Sequence, residues 1–285
     1  MKSFLVLLGI SSVISFSSTP VNALTKTLYN GSGLPENNSP QWLTPGALLS
    51  TGLPTVLDGT PVTGGVQIDS NANNAEYSGY SNYNPLTSSF VNSSFPTLDQ
   101  NTGYSIFFNV ALDTTNDFSD TSDNNRAAFS ITAIGAGNAG IEIGFDSNQI
   151  FAQNSNFTQA EAQAFTTSNS TDYQLTVLGN SYQLLADTGS GFAPVINGSL
   201  RTYIFDPSAS NPPLGSFNPY EIPNFLFFGD NTGQAHGTFT LGEISVETVS
   251  VPFDVSPTLG LLLIGIGIGT KKLYTMSSRQ RNNEQ

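Results

Sequence analysis

The sequence predicts an all-β fold: an antiparallel two-sheet sandwich, jelly-roll or concanavalin-like, with one short helix. Three observations lead there. Tyr104, Ile106, Phe108, Val110 and Leu112 are interleaved with Ser105, Asn109 and Asp113, the period-two pattern of a half-buried strand whose side chains alternate between faces. Similar short runs follow it, parted by Gly, Pro and Asn turns, with no repeat of the kind that marks a solenoid or propeller. Twenty Phe and ten Tyr accompany a net charge of −13, so the chain has the apolar material for a core despite its charge. It has no Cys, and a body of about 230 residues needs no disulfides to hold a core.

In chain order the expected strands are Tyr104 to Leu112, Ala127 to Ile134, Gly140 to Phe145, Gln149 to Ala152, Tyr173 to Leu178, Tyr182 to Ala186, Phe225 to Phe228 and Gly237 to Val249. Gly179-Asn180 joins two of them as a tight hairpin, because both residue types tolerate positive φ. In the last strand Phe239 and Leu241 share one parity while Ile244 and Val246 share the other. A one-residue slip at Gly242-Glu243 reconciles them, which is a β-bulge. Thr158 to Phe165, with Ala160, Ala162 and Ala164, reads as the short helix.

Two ends are set apart from this body. Met1-Lys2-Ser3 precedes the apolar run Phe4 to Ile10, and small residues follow at Val21-Asn22-Ala23, the layout of a secretory signal over residues 1–23. The expected sandwich domain is 24–250. The tail, 251–285, carries Val251, Pro252, Phe253, Asp254, Ser256 and Pro257, then an apolar stretch over 257–270 and a basic stop over 271–281 that begins with Lys271 and Lys272. Leu259 to Gly269 is eleven residues, ~17 Å as a helix, against the ~30 Å of a bilayer core. Glycines at 260, 265, 267 and 269 weaken it as a helix, and Asp254 bars extension backwards. The tail therefore reads as a sorting signal that engages the membrane, with its basic end in the cytoplasm.

Setting the ends aside exposes the charge of the body. Of eight Lys and Arg, only Lys26, Arg126 and Arg201 lie in it, and of 21 acidic residues only Glu284 lies beyond the apolar run. So negative a field repels nucleic acid and anionic surfaces. Cations, neutral sugars and basic proteins remain as partners.

Several residue sets carry candidate chemistry. Glu142 and Asp146 share one strand face across Gly144, a pair that could serve glycoside hydrolysis. Their Cα atoms would be ~13 Å apart at about 3.3 Å per residue, so the carboxyls would have to lean together to reach the ~5.5 Å of a retaining site. Asp113, Asn116, Asp117, Asp120 and Asp123 cluster within eleven residues; they are either oxygen ligands for Ca²⁺, which takes six to eight, or a solvated acidic loop between strands. Asp230, Asn231 and Thr232 form a smaller oxygen cluster or a turn. Tyr77, Tyr80, Tyr83 and Trp42 either stack on sugar faces or pack in the fold, with packing favoured. Arg126 and Arg201 are each expected to pair with a carboxylate, a sugar- or anion-binding role being the alternative. His236 is the only imidazole, which excludes two-His metal sites, and it reads as a solvated loop residue.

The tail resembles the PEP-CTERM class of bacterial sorting signals, in the variant Val-Pro-Phe-(Glu/Asp)-x-Ser-Pro found on exported cyanobacterial proteins. Here Phe253-Asp254 stands where the class has Glu-Pro. The body resembles the choice-of-anchor Y type of domain through Leu34-Pro35, Gln41-Trp42-Leu43, Asn125 to Ser130, Ile141 to Phe145, Ile150 to Gln153, Phe157 to Glu161, Gly198 to Tyr203 and Pro223 to Thr232. The resemblance implies an exported β-sandwich, a processing protease of the exosortase type as partner, and no catalytic residues. Two functional expectations stand. One is a non-catalytic protein of the periplasm, cell surface or extracellular matrix, attached at least transiently to the membrane by its C-terminus and binding polysaccharide. The other is a carbohydrate-active hydrolase using Glu142 and Asp146.

Overall fold

The computed structural model describes residues 24–45, 59–70, 78–118, 125–208, 217–232 and 235–248, with the side chains of 114–118 left out. The signal and tail expectations, residues 1–23 and 251–285, lie outside the described residues. Alternation becomes strands: β1 (Leu24–Tyr29), β2 (Thr44–Pro45), β3 (Thr60–Val62), β4 (Gly65–Asp69), β5 (Gly79–Ser81), β6 (Tyr83–Asn84), β7 (Ser89–Phe90), β8 (Tyr104–Phe118), β9 (Phe129–Ile134), β10 (Gly140–Phe145), β11 (Gln149–Gln153), β12 (Gln159–Ala164), β13 (Thr171–Leu178), β14 (Ser181–Asp187), β15 (Phe192–Ser199), β16 (Leu226–Gly229) and β17 (His236–Thr248).

Two antiparallel sheets form the sandwich. The first runs β15-β14-β13-β8-β17-β4-β3, with β1 also on β17; the second runs β12-β11-β10-β9-β16-β5-β2, and β6 and β7 form a separate ribbon. The expected all-β, two-sheet architecture holds. Tyr104, Ile106, Phe108, Val110 and Leu112 all point inward, meeting Phe129, Ile131, Ile143, Phe145 and Phe228 of the facing sheet. Phe108 lies 5.9 Å from Phe145 and 5.7 Å from Phe228 between ring centroids, the offset or edgewise spacing that aromatic quadrupoles favour.

The predicted hairpin and bulge are both present. Leu178 pairs with Ser181 across Gly179-Asn180, with Gly179 at φ 60°. Pairing of β17 with β8 slips between Leu241 and Ile244. The bulge also marks a change of neighbour: β17 pairs with β4 through Thr238–Leu241 and with β1 from Ile244 onward. β1 therefore fills the edge that β4 vacates, and Leu24 lies opposite Thr248.

The predicted helix is not there. Residues 159–164 form β12, which pairs with β11 from Gln149↔Ala164 to Gln153↔Gln159. Alanine favours helix only weakly, and an eight-residue helix is marginal without packing. Ala160, Ala162 and Ala164 recur every second residue, a strand period, and an exposed edge of β11 was waiting for partners. The described residues contain no α-helix; two single 3₁₀ turns, Pro35–Asn37 and Pro219–Glu221, are the helical elements among them. No helix among them is long and apolar enough to cross a membrane.

Candidate functional site

The central strands of the second sheet, β9, β10 and β16, are buried on both faces, and the outer face there holds the candidate carboxylate. In β10 the inward residues are Ile141, Ile143 and Phe145, so parity sends Glu142 and Gly144 outward. There the chain returns over the sheet as residues 201–208 and 217–225. Tyr203, Tyr220, Phe225 and Phe227 form a second apolar cluster on that face, with Phe157, Phe205 and Phe217 packed against it. The ring centroids of Tyr203 and Tyr220 are 4.7 Å apart, and Phe157 lies 5.2 Å from Tyr220. Buried Asn82 holds the returning segment in place: its amide donates to Asn224 O at 2.8 Å and its carbonyl oxygen accepts from Leu226 N at 2.9 Å.

Beneath these rings Glu142 is 1% exposed and Arg126 13%, with Nη2 to Oε1 at 3.3 Å. Glu142 Oε2 accepts from the Tyr220 hydroxyl and from Asn231 Nδ2, the latter at 3.2 Å. Asn231 Nδ2 also reaches the Tyr220 hydroxyl at 2.9 Å. Arg126 donates to the carbonyl of Asn231 and lies 5.2 Å above the Phe157 ring. The backbone N–H of Glu142 donates to the Tyr203 hydroxyl at 2.6 Å, which in turn donates to Gln153 O at 3.3 Å. Burial first, and then the Glu142 charge, push the Tyr220 hydroxyl well above its ordinary pKa, so it stays a donor to the carboxylate. Burial and Glu142 act on Tyr203 in the same direction. A buried charge that is paired and hydrogen-bonded in this way is a structural element, with both carboxylate oxygens engaged.

Asp146, also buried, has a different task. Its N–H donates to Gln149 O at 2.9 Å, its Oδ2 accepts from Gln149 Nε2 at 3.0 Å, and its carbonyl accepts the Thr167 hydroxyl at 2.6 Å. It braces the β10–β11 turn. Glu142 is thus held by Arg126, Tyr220 and Asn231, and Asp146 holds Gln149 and Thr167.

Both arginines find acids, as expected. Arg201 is paired with Glu161, and its guanidinium lies 5.9 Å over the Tyr182 ring. Burial alone would raise the Glu161 carboxyl; its own backbone N–H and Arg201 outweigh that, and it is held below the ordinary carboxylate range. This pair straps the β12 edge of one sheet to the β14–β15 edge of the other.

The aromatic candidates separate. Tyr80, on β5, is fully buried in the inter-sheet core, and Trp42 is 6% exposed there with Lys26 Nζ 5.7 Å from its ring centroid. Neither ring faces a surface ligand; both take the packing role. Tyr83 is half-buried, edge-on to Phe90 at 5.4 Å and stacked on Phe217 at 6.2 Å. Tyr77 lies outside the described residues. The acidic loop is corrected in part: β8 runs on to Phe118, so Asp113, Asn116 and Asp117 stand on a strand, while Asp120 and Asp123 lie outside the described residues. Among the described residues no three His, Asp or Glu gather as metal ligands.

His236 is also corrected. It opens β17 rather than sitting in a loop, because its strand extends the β8 pairing to Phe118. It is half-buried, with Nδ1 3.8 Å from Oδ2 of fully buried Asp230. Asp230 Oδ1 accepts from Thr232 N at 3.1 Å, so the Asp230-Asn231-Thr232 set is a turn that delivers Asn231 to Glu142. Burial pushes the Asp230 carboxyl up to about 7, with His236 and Ser70 opposing. The folded chain therefore holds a proton that the unfolded chain releases near the ordinary 3.8. On this account stability is largest below about pH 4 and is lost as pH rises toward about 7. Asp230→Asn is expected to flatten that slope, read from urea unfolding at pH 5 and pH 8; an unchanged slope would show that Asp230 is ionised throughout.

Sequence reasoning missed Tyr203, Tyr220 and Asn231 as partners of Glu142. One signal was available: Glu142 is the lone charge in Ile-Glu-Ile-Gly-Phe, and Arg126 is one of three cations in the body.

No family model matches the chain, and no curated protein matches it. Solved structures that resemble it include a carbohydrate esterase of the Shiga toxin-encoding bacteriophage phi24B, at 12% identity and TM-score 0.45, over 79% of this chain and 99% of that one. The exoplasmic/lumenal domain of VIP36, bound to Ca²⁺ and Man3GlcNAc, aligns at 9% identity and TM-score 0.44 over 82% and 92%. A family 7 alginate lyase in complex with substrate aligns at 11% identity and TM-score 0.43 over 76% and 96%.

Proposed function

We propose that this chain is an exported, non-catalytic β-sandwich protein of the cell surface or extracellular matrix that binds polysaccharide and is sorted through its Val-Pro-Phe-Asp tail. The observation that carries the non-catalytic reading is the enclosure of Glu142: the carboxylate best placed for hydrolysis is spent on Arg126, Tyr220 and Asn231 beneath the chain's own aromatic residues. A general acid or nucleophile must reach a substrate oxygen or carbon, and among the described residues both oxygens of this one are taken by Arg126, Tyr220 and Asn231.

Sorting is supported by the layout of the tail, Val251-Pro252-Phe253-Asp254 ahead of an apolar run and Lys271-Lys272. β1 begins at Leu24, directly after the expected signal, β17 ends at Thr248, just before Val251, and these two residues pair. On this reading an exosortase-type protease acts just beyond the ladder that β17 forms with β1. The acidic body favours neutral glycans over anionic ones and over nucleic acid.

The test is retardation of the full chain in gels cast with soluble polysaccharides, alongside assay of reducing ends. Retardation without release of reducing sugar is expected. Release that disappears in Glu142→Gln, with the fold retained, would make the protein the hydrolase instead. Intact mass of the protein recovered from cells reports whether the tail has been removed.

A further inference from the structure

We infer that the polar cleft at one end of the sandwich is the saccharide-binding site and that it takes uncharged sugar units; this rests on the polysaccharide-binding reading above. The cleft, about 840 Å³, lies where the β10–β11 turn, the β12–β13 connection and the β14–β15 turn meet. Both sheets contribute to it, and its volume falls in the range of ligand sites, about 300–1,000 Å³.

Its walls are fixed before any ligand arrives. Phe165 N donates to Asn148 O at 3.0 Å, Thr167 N to Ser147 O at 3.4 Å, and Leu112 N to Thr167 O at 3.0 Å. On the opposite side Asp187 Oδ1 accepts from Gly189 N at 2.7 Å and Gly191 N at 3.0 Å. A prearranged site loses less ordering entropy on binding.

The lining chemistry is that of a sugar site. Asn148, Thr166 and Asn169 are exposed, and their side chains make no hydrogen bond among the described residues. Each amide offers donors and an acceptor together, which matches neighbouring hydroxyls that both give and take hydrogen bonds. Phe165 is half-buried, its ring 5.9 Å from Tyr173, and presents apolar surface for the C–H face of a sugar ring. Asp187 is the one charged residue in the lining, and no Lys or Arg lines it. Sulfated or uronic-acid polymers would meet only repulsion there.

The test is affinity electrophoresis of the full chain in β-glucan, xylan and galactomannan, with polygalacturonate as the anionic arm. Asn148→Ala/Asn169→Ala alters only exposed side chains, so its melting temperature should equal that of the parent. It should bind the neutral polymer roughly tenfold more weakly, as expected from the loss of two or more hydrogen bonds. Phe165→Leu, which keeps apolar contact with Tyr173 but removes the ring, should weaken it as well. If the parent binds a neutral polysaccharide and both variants bind it equally well, the cleft is not the site, although the polysaccharide reading survives. Tighter retention in polygalacturonate than in any neutral polymer would overturn the uncharged class. No retention of the parent in any gel would remove the polysaccharide reading, and this site with it.

Discussion

Arg126→Ala is expected to destabilise the domain by about 3–5 kcal/mol, the typical result of removing one partner from a buried ion pair. Glu142, 1% exposed in the parent, would lose its cationic partner and keep the Tyr220 hydroxyl and the Asn231 amide. Replacing both members, as in Arg126→Met/Glu142→Leu, should restore part of the loss, because the uncompensated charge goes with its partner. The Tyr220 hydroxyl and Asn231 amide would then lose their acceptor, so recovery should stop short of the parent. Urea unfolding of the four proteins in this cycle gives the pairwise energy. An Arg126→Ala variant within about 1 kcal/mol of the parent, the range of exposed pairs, would mean that Glu142 is hydrated and open. The same cycle bears on catalysis: a working acid is often a stability burden, whereas this one should be a stability requirement.

Tyr203→Phe is expected to cost about 2–3 kcal/mol while leaving the core packing intact. Pairing of β10 with β11 runs from Phe145↔Ile150 to Ile143↔Ala152. Beyond it the Tyr203 hydroxyl takes over, accepting from Glu142 N and donating to Gln153 O. Arg201 pairs with Gly140 through two 2.8 Å hydrogen bonds, so the strap occupies the place β11 has left. Losing the hydroxyl orphans a buried N–H and a buried C=O, at about 1–3 kcal/mol for each group left unsatisfied. The ring would still stack on Tyr220 and Phe157. Hydrogen exchange gives the sharper readout: the Glu142 amide should lose protection in Tyr203→Phe while Ile143 in the same strand keeps its own. Equal protection of the Glu142 amide in both proteins would show that another acceptor serves it.

Strands were legible where one face is apolar and the other polar. β8, β13 and β14 alternate, and their burial follows the alternation, as in the sequence of buried and exposed residues along β13. β9 and β10 are buried on both faces, yet their Ile and Phe content still marked them. β15 was missed because Pro194 and Gly198 argue against a strand. It is tolerated because β15 is the edge of its sheet, and its register slips between Ile196 and Pro194, where a missing N–H is not needed. β12 was misread because alanine's preference was weighed above its two-residue spacing.

The site was legible only as an inventory. Three cations among many acids meant that Arg126 and Arg201 would each be paired, and this follows from charge balance without coordinates. Local pattern also determined the sandwich, the Gly179-Asn180 hairpin and the bulge at Gly242-Glu243, since each is a matter of adjacent residues and strand parity. Which carboxylate each arginine holds was decided by tertiary structure alone. Glu142 meets Tyr220 and Asn231 across 78 and 89 residues of chain, and no local period encodes contacts of that separation. They arise because the return through residues 201–208 and 217–225 closes the outer face of the second sheet, turning an acid that parity placed toward solvent into part of a second core.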